Sequence, residues 1–310
     1  MNKYKIIVQY DGFSFSGFQS QKNLNTIQDK IEYSLSFLNQ NNLTRVSGAS
    51  RTDAGVHALG QVAHFNLDTQ LPLNAIKQAV NARLPAEIRI VDIKEASHEF
   101  HSRFDAIKKE YLYQCSLTDN PLLSKDHFVL KRIDFERLED IEHQLIGKHN
   151  FLSFSKFDKE KNNTICEIFK SKWTLEHDKL FYIIEGDRFL HHMVRYLVGT
   201  MIGYMEKKIS TEEFLSLLQN PIKDAKLFKA PAHGLILNKN LNDSFEVVKK
   251  EWPKDNFPFT NESAPIYIKA YAKKIPNWKI DEHNLVGELR DSPIESNENP
   301  EIIELIGGNS

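Results

Sequence analysis

Between Leu190 and Met201 the apolar residues Leu190, Met193, Val194, Leu197, Val198 and Met201 recur at steps of three and four. Only an α-helix gathers that spacing onto one face. Gly199 and Gly203 lie within this helix and leave room for another element against its backbone. Near the N-terminus the period changes to two: Tyr4, Ile6, Val8 and Tyr10 alternate with mostly polar neighbours, a strand with one buried face closed by Asp11-Gly12. Thr26, with Asp29 three residues on, marks a helix start, and the stripe Ile27, Ile31, Leu35, Leu38 carries that helix to Asn39. Further strands are predicted at 43–48, 61–67, 88–93, 110–117, 172–175 and 180–185, and further helices at 75–84 and 134–145. At 310 residues the chain has about twice the usual single-domain length. Strand and helix signals interleave in both halves, which predicts an α+β fold with largely antiparallel sheets flanked by helices. The expected division is 1–105, 106–250 with a boundary near 104–110, and an extension at 251–310 of weaker periodicity, with a cleft between the first two parts.

Charge is distributed unevenly. From Asp281 to Ser310 eight acids face one base, Arg290, so the remaining 280 residues carry 39 Lys and Arg against 34 Asp and Glu. A mildly basic body with an acidic, aperiodic tail is compatible with a polyanionic partner. Cys115 and Cys166 are the only cysteines, too few for a disulfide framework and without the CxxC spacing of a zinc site. No apolar run approaches the roughly 20 residues that span a bilayer. The apolar part of the opening segment is too short for a secretory leader, which makes the cytoplasm the expected compartment.

Four segments carry side chains suited to chemistry. Ser50–Leu59, SRTDAGVHAL, clusters Arg51, Asp53 and His57 between two strand signals, with Gly55 permitting a tight bend. Asp-Ala-Gly is also an ordinary turn, so the carboxylate is either a turn former or a base or nucleophile on a rigid loop. In Phe189–Gly199, FLHHMVRYLVG, His191 and Arg195 are four apart and are expected on one helical face. The adjacent His191 and His192 are expected to diverge, so no metal site is expected there. Arg195 borders the apolar stripe, where it either snorkels to solvent or meets a carboxylate. In Phe100–Tyr113, Arg103, Lys108 and Lys109 interleave with Phe104, Tyr111 and Tyr113, a pattern suited to phosphates beside stacked bases. The fourth segment, APAHGLILNKN, reads as a buried strand through Gly234 and Leu235.

In this order, the motifs resemble the TruA family of tRNA pseudouridine synthases. The match runs through YDGFSFSGFQ, Thr26-Ile27-Gln28, RTDAGVHA at 51–58, NARLP at 81–85, FHSRF at 100–104, LIGKHNF near Gly147, HHMVR at 191–195 and GLIL at 234–237. It covers roughly residues 3–245. Ser50 stands where the family usually has Gly, Phe18 where Trp is common, and Asn150 where Asp is common.

The resemblance implies a pseudouridine synthase-like fold and isomerisation of uridine to pseudouridine at positions 38–40 of the tRNA anticodon arm, by a homodimer needing neither cofactor nor metal. It implies Asp53 as the catalytic aspartate, Arg195 as its basic partner and Tyr111 as the ring against the uracil. Arg51 would help extrude the nucleotide and Leu235 would line the pocket. Arg103, Lys108 and His57 complete the expected substrate-binding set. The same motifs leave open a ribosomal or other RNA as target, or an inactive RNA-binding protein of this fold.

Overall fold

The computed structural model describes residues 1–156 and 163–241. Strand β1 (Asn2–Tyr10) buries Tyr4, Ile6, Val8 and Tyr10, the period-two set of the sequence. Helix α1 (Ile27–Ser36) starts where the Thr26 hydroxyl accepts from the Asp29 N–H at 3.3 Å, and Ile27, Ile31 and Leu35 face the core. Burying each such side chain contributes roughly 1.5–3 kcal/mol. After β2 (Val46–Gly48), strand β3 runs His57–Leu67. It starts four residues before the expected Gln61, because Ala58 is opposite Tyr10 on one side and Leu237 on the other, partners far away in sequence. Helix α2 (Leu73–Asn81) and β4 (Ile88–Ala96) complete the N-terminal half.

The second half comprises β5 (Lys108–Ser116), a short β6 (Phe128–Val129), α3 (Phe135–Glu142), β7 (Gly147–Asn150), β8 (Ile165–Glu176), β9 (Lys179–Gly186), α4 (Met193–Met205), α5 (Thr211–Gln219) and β10 (Leu235–Leu241). Asp134 caps α3 with its side chain on the Arg137 N–H, and Ser210 with Glu213 forms a reciprocal capping box on α5. Trp173 on β8 stacks on Tyr182 of β9 with ring centroids 4.7 Å apart, and Met193, Val194, Leu197, Val198 and Met201 are buried along α4.

Among the described residues, the strands form one sheet in the order β4-β1-β3-β10-β5-β9-β8-β7, with β2 on β3 and β6 on β5. Most pairs are antiparallel. Strand β10 is the seam: it pairs in parallel with β3, Ile236 opposite His57, and antiparallel with β5, Leu237 opposite Tyr111. The expected separate sheets of 1–105 and 106–250 are therefore one sheet, and all described residues belong to a single compact unit. Local periodicity identifies strands but not their neighbours, so the joining role of β10 was hidden. The extension and its acidic tail lie outside the described residues. At the seam the β2–β3 loop, Tyr111 of β5 and Leu235 of β10 come together around one cavity.

Candidate active site

The loop between β2 and β3 is fixed from several directions. Ser50 and Gln61 exchange two hydrogen bonds, Ser50 N–H to Gln61 Oε1 at 3.1 Å and Gln61 Nε2 to Ser50 O at 2.7 Å. Ser50 Oγ donates to Asn240 Oδ1 at 3.0 Å, which ties the loop to β10. Tyr10 OH lies 2.8 Å from Thr52 Oγ1, and Phe18 N–H donates to Thr52 O at 3.2 Å. Gly17, at φ +95°, passes so close that a Cβ there would sit 2.6 Å from Thr52 O. These bonds hold Asp53 on a rigid backbone.

Arg195 arrives from the first turn of α4. Its Nη1 donates to Asp53 Oδ2 at 3.0 Å, and its Nε donates to Ala230 O at 2.8 Å. The Ala230 N–H returns a bond to Arg195 O at 3.0 Å. Segment 228–230 reaches this position because Gly199 has no side chain: a Cβ there would sit 1.9 Å from Phe228 O. The guanidinium is thus held in place before any substrate arrives. Both side chains are largely buried, 16% exposed for Asp53 and 12% for Arg195, so the pair is shielded from water and each charge needs the other.

The two histidines depart from expectation. His192 is left-handed, at φ +63°, and α4 begins only at Met193. His191 therefore lies outside the helix and does not share a helical face with Arg195. Instead of diverging, His191 Nε2 lies 3.8 Å from Asp53 Oδ1 and His192 Nε2 lies 3.5 Å from Asp53 Oδ2. Burial brings the His192 imidazole down to about 4; Asp53 opposes this, while His191, Lys229 and Arg195 reinforce it. Lys229 Nζ is 3.4 Å from His192 Nδ1, so the ring accepts there and carries its proton on Nε2, toward the carboxylate. Asp53, His191 and His192 each offer a ligand atom within 4.8 Å of the others. Arg195 and Lys229 place two fixed positive charges beside that group, which opposes capture of a cation.

Asp53 lies on a cavity of about 950 Å³ that Arg51, Tyr111, Phe189, Arg195 and Leu235 also line. The Tyr111 ring meets Phe189 edge-on with centroids 5.1 Å apart. Burial pushes the Tyr111 phenol well above its ordinary value, with nearby Ser50 acting in the opposite direction. It is held as a neutral phenol. Arg103 and Lys109 also reach the cavity.

Two expected substrate contacts are corrected. His57 is 1% exposed behind the loop, where the Gly12 N–H donates to its Nδ1 at 3.1 Å and its Nε2 faces Lys125 O at 3.3 Å. It braces the loop and does not reach the cavity. Lys108 points the other way along β5 and pairs with Glu185 at 2.8 Å, whereas Lys109 shares the face of Tyr111. Lys109 donates to Ala49 O at 2.9 Å, and burial, with Arg103 and Arg188 nearby, lowers it to about 8. The period-two rule applied to Lys109, Tyr111 and Tyr113 already favours Lys109 over Lys108. Lys229, Ala230 and Phe189 carry no such signal.

A family model described as tRNA pseudouridine synthase matches residues 6–105 and 142–240. The tRNA pseudouridine synthase A of Phytoplasma mali (strain AT) is 38% identical over 237 residues, covering 76% of this chain and 97% of that protein. Its counterpart in Bacillus subtilis (strain 168) is 35% identical over 239 residues, with 76% and 97% covered. That of Brachyspira hyodysenteriae (strain ATCC 49526 / WA1) is 35% identical over 244 residues, with 77% and 98% covered.

Proposed function

Because the chain belongs to the tRNA pseudouridine synthase family, we propose that it isomerises uridine to pseudouridine at positions 38–40 of the tRNA anticodon arm. The observation that carries the reading is the Asp53–Arg195 pair, 3.0 Å apart on the wall of a cavity lined by Tyr111 and Leu235. At about 950 Å³ the cavity is at the upper end of the roughly 300–1,000 Å³ usual for ligand sites, enough for an extruded nucleotide.

The reaction breaks the N1–C1′ bond, turns the uracil and joins C5 to C1′, so no atoms or electrons enter or leave. What the protein supplies is a cavity, a carboxylate and a surface for the base. Asp53 attacks as nucleophile or removes a ribose proton as base. Arg195 compensates its charge, and the His192 Nε2–H faces the same oxygen. Tyr111 and Leu235 flank the uracil; base–aromatic stacking of roughly 1–3 kcal/mol offsets part of the few kcal/mol that unstacking costs. Arg51, Arg103 and Lys109 supply positive charge for the backbone. The division of labour into an Asp53 half, 1–105, and an Arg195 half, 106–250, belongs to this reading, as do a homodimeric assembly and action in the cytoplasm. Among the described residues no helix is long and apolar enough to cross a membrane.

Mapping pseudouridines by chemical labelling in cells lacking the gene tests the target. Loss confined to the anticodon arm is expected. Loss in ribosomal RNA would move the address while keeping the chemistry, and no loss would leave an RNA-binding protein. Sedimentation of the purified protein at twice the monomer mass is the expected result for the assembly.

A further inference from the structure

Arg51, Arg103 and Gln19 line two cavities: the catalytic one and a second of about 220 Å³ whose other walls include Phe18, Gln28, His101 and Phe104. The isomerisation itself requires nothing from this smaller space, yet its chemistry is distinctive. His101 and Phe104 lie ring to ring at 4.3 Å with a 33° tilt, and Phe104 is 76% exposed. The His101 Nδ1 accepts from the N–H groups of Arg103 and Phe104 at 3.2 and 3.4 Å, which sets that ring as a fixed platform. The Arg103 guanidinium lies 5.8 Å from the Phe104 centroid. Among the described residues neither Arg51 nor Arg103 forms an ion pair. Partial burial, reinforced by the nearby charges of Arg51 and Arg188, lowers Arg103 below its ordinary value.

An aromatic platform beside uncompensated guanidiniums suits a base attached to a phosphate. The connection to the catalytic cavity adds a constraint. When an RNA strand puts one nucleotide at Asp53, the adjoining nucleotide lies one phosphodiester away. The linking phosphate then falls at the wall common to both cavities, and that wall is Gln19, Arg51 and Arg103. The smaller cavity has room for one planar base and little more.

We propose that this second cavity seats the base of the nucleotide next to the target uridine, stacked on Phe104 and His101, with the linking phosphate held by Arg51 and Arg103. The proposal rests on the reading of the larger cavity as the target site, and it adds a site that senses the neighbouring base. Arg51, as part of the shared wall, then holds the strand at the point where it bends between the two cavities.

The test is a binding cycle with an anticodon-arm hairpin in three forms: intact, with the base 5′ of the target uridine removed, and with the base 3′ of it removed. Dissociation constants are measured by fluorescence anisotropy at one salt concentration, for the full-length protein and for Phe104→Ala, whose exposed side chain makes loss of folding no concern. One of the two abasic hairpins is expected to bind the wild type about tenfold more weakly, equivalent to about 1.4 kcal/mol. Phe104→Ala is expected to weaken the intact hairpin by a similar factor and that abasic hairpin no further. Losses that multiply independently, or no loss with either abasic RNA, overturn the proposal. Pseudouridine formation on the intact hairpin is scored separately. Isomerisation without the binding coupling sinks the second cavity alone, and coupling without isomerisation sinks the reading of the first.

Discussion

Arg195 makes two commitments at once, one to the Asp53 carboxylate and one to the Ala230 carbonyl. Arg195→Ala removes both and leaves a largely buried carboxylate without its cation, so breaking this partly buried pair is expected to cost up to about 3–5 kcal/mol of stability. Activity should fall with it. An unchanged melting temperature together with normal turnover would reduce Arg195 to a surface residue. His64, beneath Phe100 and His101, gives a pH dependence at the same scale. Burial, helped by the charges of His101 and Lys3, lowers it from 6.5 to about 4. The unfolded chain therefore takes up this proton first as pH falls. The His64 contribution to stability is fully present above about 6.5 and is lost progressively down to about 4. Urea midpoints between those limits should fall more steeply for the wild type than for His64→Gln, and parallel slopes would contradict the assignment.

At the scale of elements, α4 shows how packing sets the site. The absence of a side chain at Gly199 lets segment 228–230 lie against the helix, and that segment holds Arg195 in place. Gly199→Ala is expected to lose roughly 1–3 kcal/mol in chemical denaturation and to lower turnover, because the Ala230 carbonyl must shift. Full activity with wild-type stability would show that the segment is not needed for positioning. The same helix marks the boundary of what sequence could tell. Its stripe from Met193 to Met201 and the close approach at Gly199 were legible, since both follow from local spacing. The left-handed turn at His192, which takes His191 off the helix and directs both rings to Asp53, was not, because the driving contacts come from a loop some 140 residues earlier. Strand β1 was legible for the same local reason as α4, whereas the early start of β3 depends on Tyr10 and Leu237. Of the site, the RTDAG loop and HHMVR segment stood out in sequence. The burial of His57 and the pairing of Lys108 with Glu185 depend on neighbours that no one-dimensional pattern shows.

Across the whole molecule, the two halves of the chain contribute opposite charges to one point. Asp53 comes from a loop of the N-terminal half and Arg195 from a helix of the C-terminal half, and β10 joins their strands into one sheet so that the distance between them is set by hydrogen-bonded register. The basic groups Arg51, Arg103 and Lys109 lie on the same cavity, and under the proposed function RNA affinity draws on them while the chemistry draws on Asp53. Substituting the carboxylate should separate the two. The direct measurement is pseudouridine formation in purified tRNA under single-turnover conditions, with wild type and Asp53→Ala, alongside the dissociation constant of each for the same tRNA. Asp53→Ala is expected to form no detectable product while binding tRNA within a few-fold of the wild type; substantial product from Asp53→Ala would contradict the assignment of this residue to the chemistry.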